Sequence, residues 1–133
     1  MIVLDEQLLG RNLENEISHW YQGEVCFITD LRPGSVIKDD AIPKLLQHAN
    51  QPTFVTINER DFWRRTEPNQ RYCLVCYTLT DSQAHQIAFA LRDLLQHSLF
   101  DSKAKRMGKI IRVTNHEITY YATSHRKLQT VLL

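Results

Sequence analysis

Acidic residues recur in this chain where short apolar runs end or helical patterns begin. Asp5 and Glu6 close the run IVL, Asn58, Glu59 and Asp61 follow FVTI, and Asp39 with Asp40 precedes AIPKLLQHA. Like charges held close together are costly unless a proton or a cation offsets them. Oxygen-only ligand sets favour a hard divalent ion, Mg²⁺ or Mn²⁺. Such an ion can activate water and stabilise a phosphodiester undergoing in-line displacement. Asp5, Asp39 and Asp61 are therefore the candidate metal ligands, and together with Glu59 the candidate catalytic acids; Glu6 and Asn58 stand beside them as support. Arg60, Arg64 and Arg65 occupy the same short segment. A helix there would put Arg60 and Arg64 on one face, where they could hold phosphate. The plain alternatives are that Asp5 and Asp39 cap helices, that the arginines form a solvated turn, and that most of the basic run KAKRMGKIIR is simply exposed.

These groups meet only if the elements between them bring the run ends to one edge. Ile2 to Asp5 reads as a strand, and Leu9, Leu13, Ile17 and Trp20 recur at helical spacing from Glu6 onward until Gly23. EVCFITDL is a second strand, on whose end Asp30 suits a turn cap, followed by the loop RPGSVIKDD and a helix opening at the aspartates with Pro43 in its first turn. PTFVTIN and RYCLVCYTL are a third and a fourth strand; Asp81 is placed as the N-cap of a longer helix with Ile87, Leu91, Leu94 and Leu95 on one face. Two strand-like runs flank Asn115 and His116 as a hairpin, and HRKLQTVLL adds a further strand or docks loosely. Alternating β and α elements predict a largely parallel sheet covered by helices, with a β-rich tail. Ligands in open parallel sheets sit outside the carboxyl ends of the strands, which is where the acids fall.

At 133 residues the chain suits a single domain, 1–133, with room for a core. It is 43% hydrophobic and 23% charged, with net charge +1, so any nucleic-acid contact must come from a local patch. No apolar run approaches the ~20 residues of a membrane span. The opening MIVLDEQLL lacks a basic and a long apolar region, which predicts a cytoplasmic protein. Three cysteines fit a reducing compartment, and Cys73 and Cys76, three apart on a strand, should point to opposite faces. Six scattered histidines offer no HxxxH or HxH pair, and no GxSxG, P-loop or GxGxxG is present.

MIVLDEQL, IKDDAIPKLLQHA and FVTINERDFW, in that order and spacing, resemble the PIN-like domains of the small DUF5615/Mut7-C type. That family shows a strand ending in LDE, an acidic helix start and a strand ending in TNDxDF. Matching Ile42 and Leu45 to its helix aligns Asp39, rather than Asp40, with its acid; matching the DF pair lays Asn58, Glu59 and Asp61 on its N-D-x-D segment. The resemblance spans nearly the whole chain. It implies a three-layer α/β/α PIN-like fold, α/β in class, and descent from a metal-dependent ribonuclease of the toxin–antitoxin kind, with RNA and an antitoxin protein as expected partners and homo-oligomers admitted. Glu59 stands where the family has Asp, Ile57 where Thr is common, and a fourth acid is unmatched unless Glu59 or Asp61 fills it. Two other readings compete. One is a catalytically impaired PIN-like module that binds a protein or RNA, with YYAT…LQTVLL as the apolar candidate surface. The other is a receiver-like phosphoacceptor, which lacks an acceptor Asp at the end of the third strand and a Lys on the fourth.

Overall fold

In the strands, alternate residues face opposite sides, and apolar side chains at nearly every position force both sides to be covered. A computed structural model, which describes residues 1–133, resolves this with helices on both faces of one seven-stranded sheet, ordered β2-β1-β3-β4-β5-β6-β7. The strands are β1 Ile2–Leu4, β2 Val25–Phe27, β3 Thr53–Thr56, β4 Cys73–Tyr77, β5 Lys109–Val113, β6 Glu117–Ala122 and β7 Gln129–Leu132. The helices are α1 Leu13–Ser18, α2 Ile42–His48, α3 Glu59–Phe62, α4 Ile87–Gln96 and α5 Lys103–Arg106. The first five strands run parallel, while β6 and β7 add antiparallel edges. The fold class is thus α/β with a mostly parallel sheet, and the tail does add a strand.

The core divides by strand parity. Ile2, Leu4, Val55, Cys73, Val75 and Ile111 pack under α1 and α4. Val3, Phe54, Leu74, Cys76 and Ile110 pack under α2 and α3. Cys73 and Cys76 fall on opposite faces, as their spacing requires, and burial pushes the Cys73 thiol up to about 12. No helix is long and apolar enough to cross a membrane.

Three elements depart from the sequence reading. The helix expected from Glu6 through Trp20 is broken: a 3-10 turn covers Glu6–Leu8, Gly10 and Asn12 take positive φ of 77° and 59°, and α1 starts only at Leu13. Leu9, spaced as a core residue, is left 49% exposed. The second strand ends at Phe27, and Asp30 closes the following turn by accepting from the Phe27 N–H at 2.8 Å. Asp81 does not cap the long helix. Its carboxylate pairs with Arg11, and it opens a 3-10 turn, Asp81–Gln86, whose N-cap is Thr80, with the Thr80 N–H donating to Gln83 Oε1 at 3.1 Å.

Candidate functional site

The order 2-1-3-4-5 of the parallel strands places a switch point between β1 and β3, where open α/β sheets bind ligands outside the carboxyl ends. Register carries one row of side chains across this edge. Leu4 pairs with Val55, Thr56 with Cys76, and Cys76 with Arg112, so Asp5, Thr56, Cys76 and Arg112 stand level on the face that α2 and α3 cover.

Asp5 is buried at 3% exposure. Its Oδ1 accepts from the Glu6 N–H at 2.8 Å and its Oδ2 from the Thr56 hydroxyl at 2.6 Å. Burial raises its pKa above the usual carboxylate value, against the pull of these bonds. Thr56 in turn accepts from the Asn58 N–H at 2.9 Å, locking the start of the next turn. The helix-cap reading therefore holds for Asp5, though the same carboxylate is also clamped to β3.

Asn58 joins the two outer acids. Its Oδ1 caps α3 by accepting from the Asp61 N–H at 3.3 Å. Its Nδ2 donates to Asp61 Oδ2 at 2.7 Å and to Asp39 Oδ2 at 3.3 Å. Asp39 opens a 3-10 turn before α2, and no side chain caps that turn, so capping does not explain its acid. Asn58 thus brings the Asp39 and Asp61 carboxylates together, and their affinities for a proton are pushed apart, Asp39 upward and Asp61 downward. Withdrawal from water, then Asp61 and the charge of Asp5, push Asp39 up to about 6. Asp61 lies at the surface, where the hydrogen bond from Asn58 foremost holds it below the usual carboxylate range. Glu6 is exposed and adds to the field on Asp39.

The raised Asp39 has a pH signature. A carboxyl raised above its unfolded value of ~3.9 binds more protons when folded, so its stabilisation is complete below that value and is lost as pH rises through the folded one. Asp61, being depressed, acts oppositely, and only as pH falls below the ordinary range. Wild type should therefore gain thermal stability relative to Asp39→Asn as the buffer moves from about pH 7 to about pH 5. An identical gap at both pH values would mean that Asp39 is not raised in the folded state.

The remaining candidates are placed otherwise than their spacing suggests. Glu59 turns to Arg112 of β5 and is neutralised by it. Nothing in the local sequence signals that pair; only the parallel β4–β5 register brings Arg112 to this edge. The helix α3 ends at Phe62, so Arg60 and Arg64 do not share a face. Arg64 adopts a left-handed backbone, φ 65°, and lies over the Tyr121 ring at 5.1 Å. Arg65 is the cation that lines the acidic cleft, of about 380 Å³, with Asp39, Asp40 and Asp61, while Arg60 stays exposed beside Asp61. The basic run is solvated only at its start: Lys103 and Lys105 are exposed, Lys105 pairing with Asp101, whereas Arg106 is buried, Lys109 lies over the Phe100 and Tyr120 rings, and Arg112 holds Glu59. Thr56 is the residue the sequence reading passed over. Its signal was its position at the end of β3, level with Asp5.

The metal fits this edge only in part. No group of three His, Cys, Asp or Glu side chains converges closely enough to hold an ion unaided. Both Asp5 oxygens are engaged, whereas Asp39 and Asp61 remain open at the rim. Mg²⁺ is commonly held by one or two carboxylates plus waters and substrate phosphate, a demand this pair meets. Comparison with protein-family models, with curated proteins and with solved structures finds no match.

Proposed function

We propose that this rim is a divalent-cation site and that the chain is a PIN-like, metal-dependent ribonuclease, with the α/β/α layering that implies. One observation carries the reading: a single amide, Asn58 Nδ2, bridges two surface carboxylates, and the proton affinity of one of them is raised. A dication would offset the charge of the pair. Asp39 and Asp61 would hold Mg²⁺ or Mn²⁺, and Asp5 would strengthen the negative field from behind. When bound, the ion supplies an activated water and offsets charge on the phosphodiester. Asn58 keeps the two carboxylates facing each other, and Arg65, on the cleft wall, draws in the phosphate backbone.

A second reading, the impaired module that binds RNA or a protein partner such as an antitoxin, is favoured by a different observation. Glu59 is neutralised by Arg112 and both Asp5 oxygens are occupied, which leaves fewer free acids than the PIN-like resemblance implies. The receiver-like alternative is weakened further, since the residues following β3 are Ile57 and Asn58, the cation at the rim end of β5 is the already paired Arg112, and the lysine of that strand, Lys109, stands at its amino end.

Calorimetric titration of Mn²⁺ near neutral pH tests the proposal. One saturable site is expected, weakened about tenfold or more by Asp39→Asn and by Asp61→Asn. Absence of binding would sink the metal reading. Binding without cleavage of single-stranded RNA would select the impaired module.

A further inference from the structure

At the opposite end of the sheet a buried arginine has no acid. Arg106, the last residue of α5, is 8% exposed. Its Nε donates to Thr53 Oγ1 at 3.3 Å and its Nη1 to the Phe100 carbonyl at 2.9 Å. It joins none of the protein's ion pairs, although a guanidinium withdrawn from water is costly without an anion. Thr53 opens β3, so this group sits at the amino ends of the strands, away from the acidic rim.

Arg106 lines a cavity of about 290 Å³ together with Arg92, Gln96, Trp20 and Tyr21. Arg92, on α4, is likewise in no ion pair. Gln96 and the Trp20 indole add neutral donors to the lining. The one acid there, Asp101, is paired with Lys105 at 2.9 Å, so the lining has an excess of positive charge. Arg106 is also close enough to Tyr21 to oppose the rise that burial imposes on its hydroxyl. Trp20 and Tyr21 meet edge to face at 6.2 Å and give the cavity an aromatic wall.

We infer that this cavity binds a small organic phosphate, its oxyanion held by Arg106 and Arg92 and its organic part lying against Trp20 and Tyr21. Two guanidinium groups suit a doubly charged oxyanion: Arg92 can present paired donors to adjacent oxygens, and Arg106, whose Nε and Nη1 hold Thr53 and Phe100, still offers its Nη2. The aromatic wall offers an organic part contacts that an inorganic ion cannot make.

Trp20 is one of two tryptophans, so Trp63→Phe leaves it as the sole reporter. In that background its fluorescence should respond saturably to adenosine monophosphate, inorganic phosphate should compete, and adenosine should not bind. Arg92→Gln, an exposed change on α4, should weaken adenosine monophosphate about tenfold, with Arg106→Lys weakening it too and Asp39→Asn leaving it unchanged. No saturable response to adenosine monophosphate or phosphate overturns the inference. So does unaltered affinity in Arg92→Gln, whose fold a thermal melt verifies. Because Mn²⁺ binding at the rim is measured separately, failure here leaves the nuclease reading untouched.

Discussion

Replacing Phe62 by Ala should cost about 3–5 kcal/mol of stability, the range for deleting a buried aromatic ring, and should also dissolve the acidic rim. Phe62 is 1% exposed, and its ring meets Phe54 at 5.5 Å on the face under α2. The helix it belongs to, α3, is a single turn of four residues. One turn has no stability of its own, because nucleation costs more than one hydrogen bond returns. Two anchors hold it: the Asn58 cap at its start and Phe62 at its end. Without the ring, Asn58 and Asp61 lose their fixed approach to Asp39.

Two readouts separate this local effect from general destabilisation. Leu91→Ala, on α4 over the other face, removes a fully buried side chain of the other core cluster and should cost about 2–5 kcal/mol. It should leave the Asp61 amide protected and the rim intact. Phe62→Ala should speed exchange of that amide, whose partner is Asn58 Oδ1, well beyond what its global stability predicts. Phe62→Leu, which keeps the burial, should recover most of both. Equal protection of the Asp61 amide in the Ala and Leu variants would show that Asn58 alone holds the turn.

The acidic rim was legible in the sequence as far as strand ends are legible. Apolar runs closing on Asp5 and on Asn58–Asp61 place acids at the carboxyl edge of any parallel sheet, and β1 and β3 are indeed neighbours. The partner of each acid was not legible. Arg112 lies 53 positions from Glu59, and the pair depends on register between strands that contact only after folding. Arg64 was misplaced because helical spacing assumes that the helix continues, whereas the backbone turns left-handed there and stacks the guanidinium on Tyr121. Leu9 failed in the same way, since positive φ at Gly10 and Asn12 ends the periodicity that made it look internal. Charge counting missed Arg106 for another reason. A basic run reads as surface, yet one member of it is the best-buried cation of the chain. The two ends of the sheet therefore differ in kind: carboxylates in excess at one, guanidinium groups in excess at the other.

Thr56→Val should destabilise the protein by about 2–3 kcal/mol near neutral pH, the range for a buried hydrogen bond to a charged group whose partner is then stranded. Valine keeps the shape and removes only the hydroxyl. That hydroxyl is fully buried, donates to Asp5 Oδ2 at 2.6 Å and accepts from the Asn58 N–H at 2.9 Å. Its loss strands two groups, one of them a carboxylate that burial already disfavours in its ionised form. The penalty should shrink on acidification. Asp5 has a raised value when folded, so protonation relieves it first in the folded state, and a neutral Asp5 loses only an ordinary hydrogen bond of about 1 kcal/mol. In an Asp5→Asn background the same substitution should likewise cost about 1 kcal/mol, leaving a coupling of about 1–2 kcal/mol between the two sites. Thr56→Ser, which retains the hydroxyl, should stay close to wild type. Urea unfolding at neutral and mildly acid pH measures all four variants. A cost that does not change with pH, or that survives intact in Asp5→Asn, would mean that Thr56 acts through packing and the Asn58 turn. Asp5 would then be free to turn toward a cation at the rim.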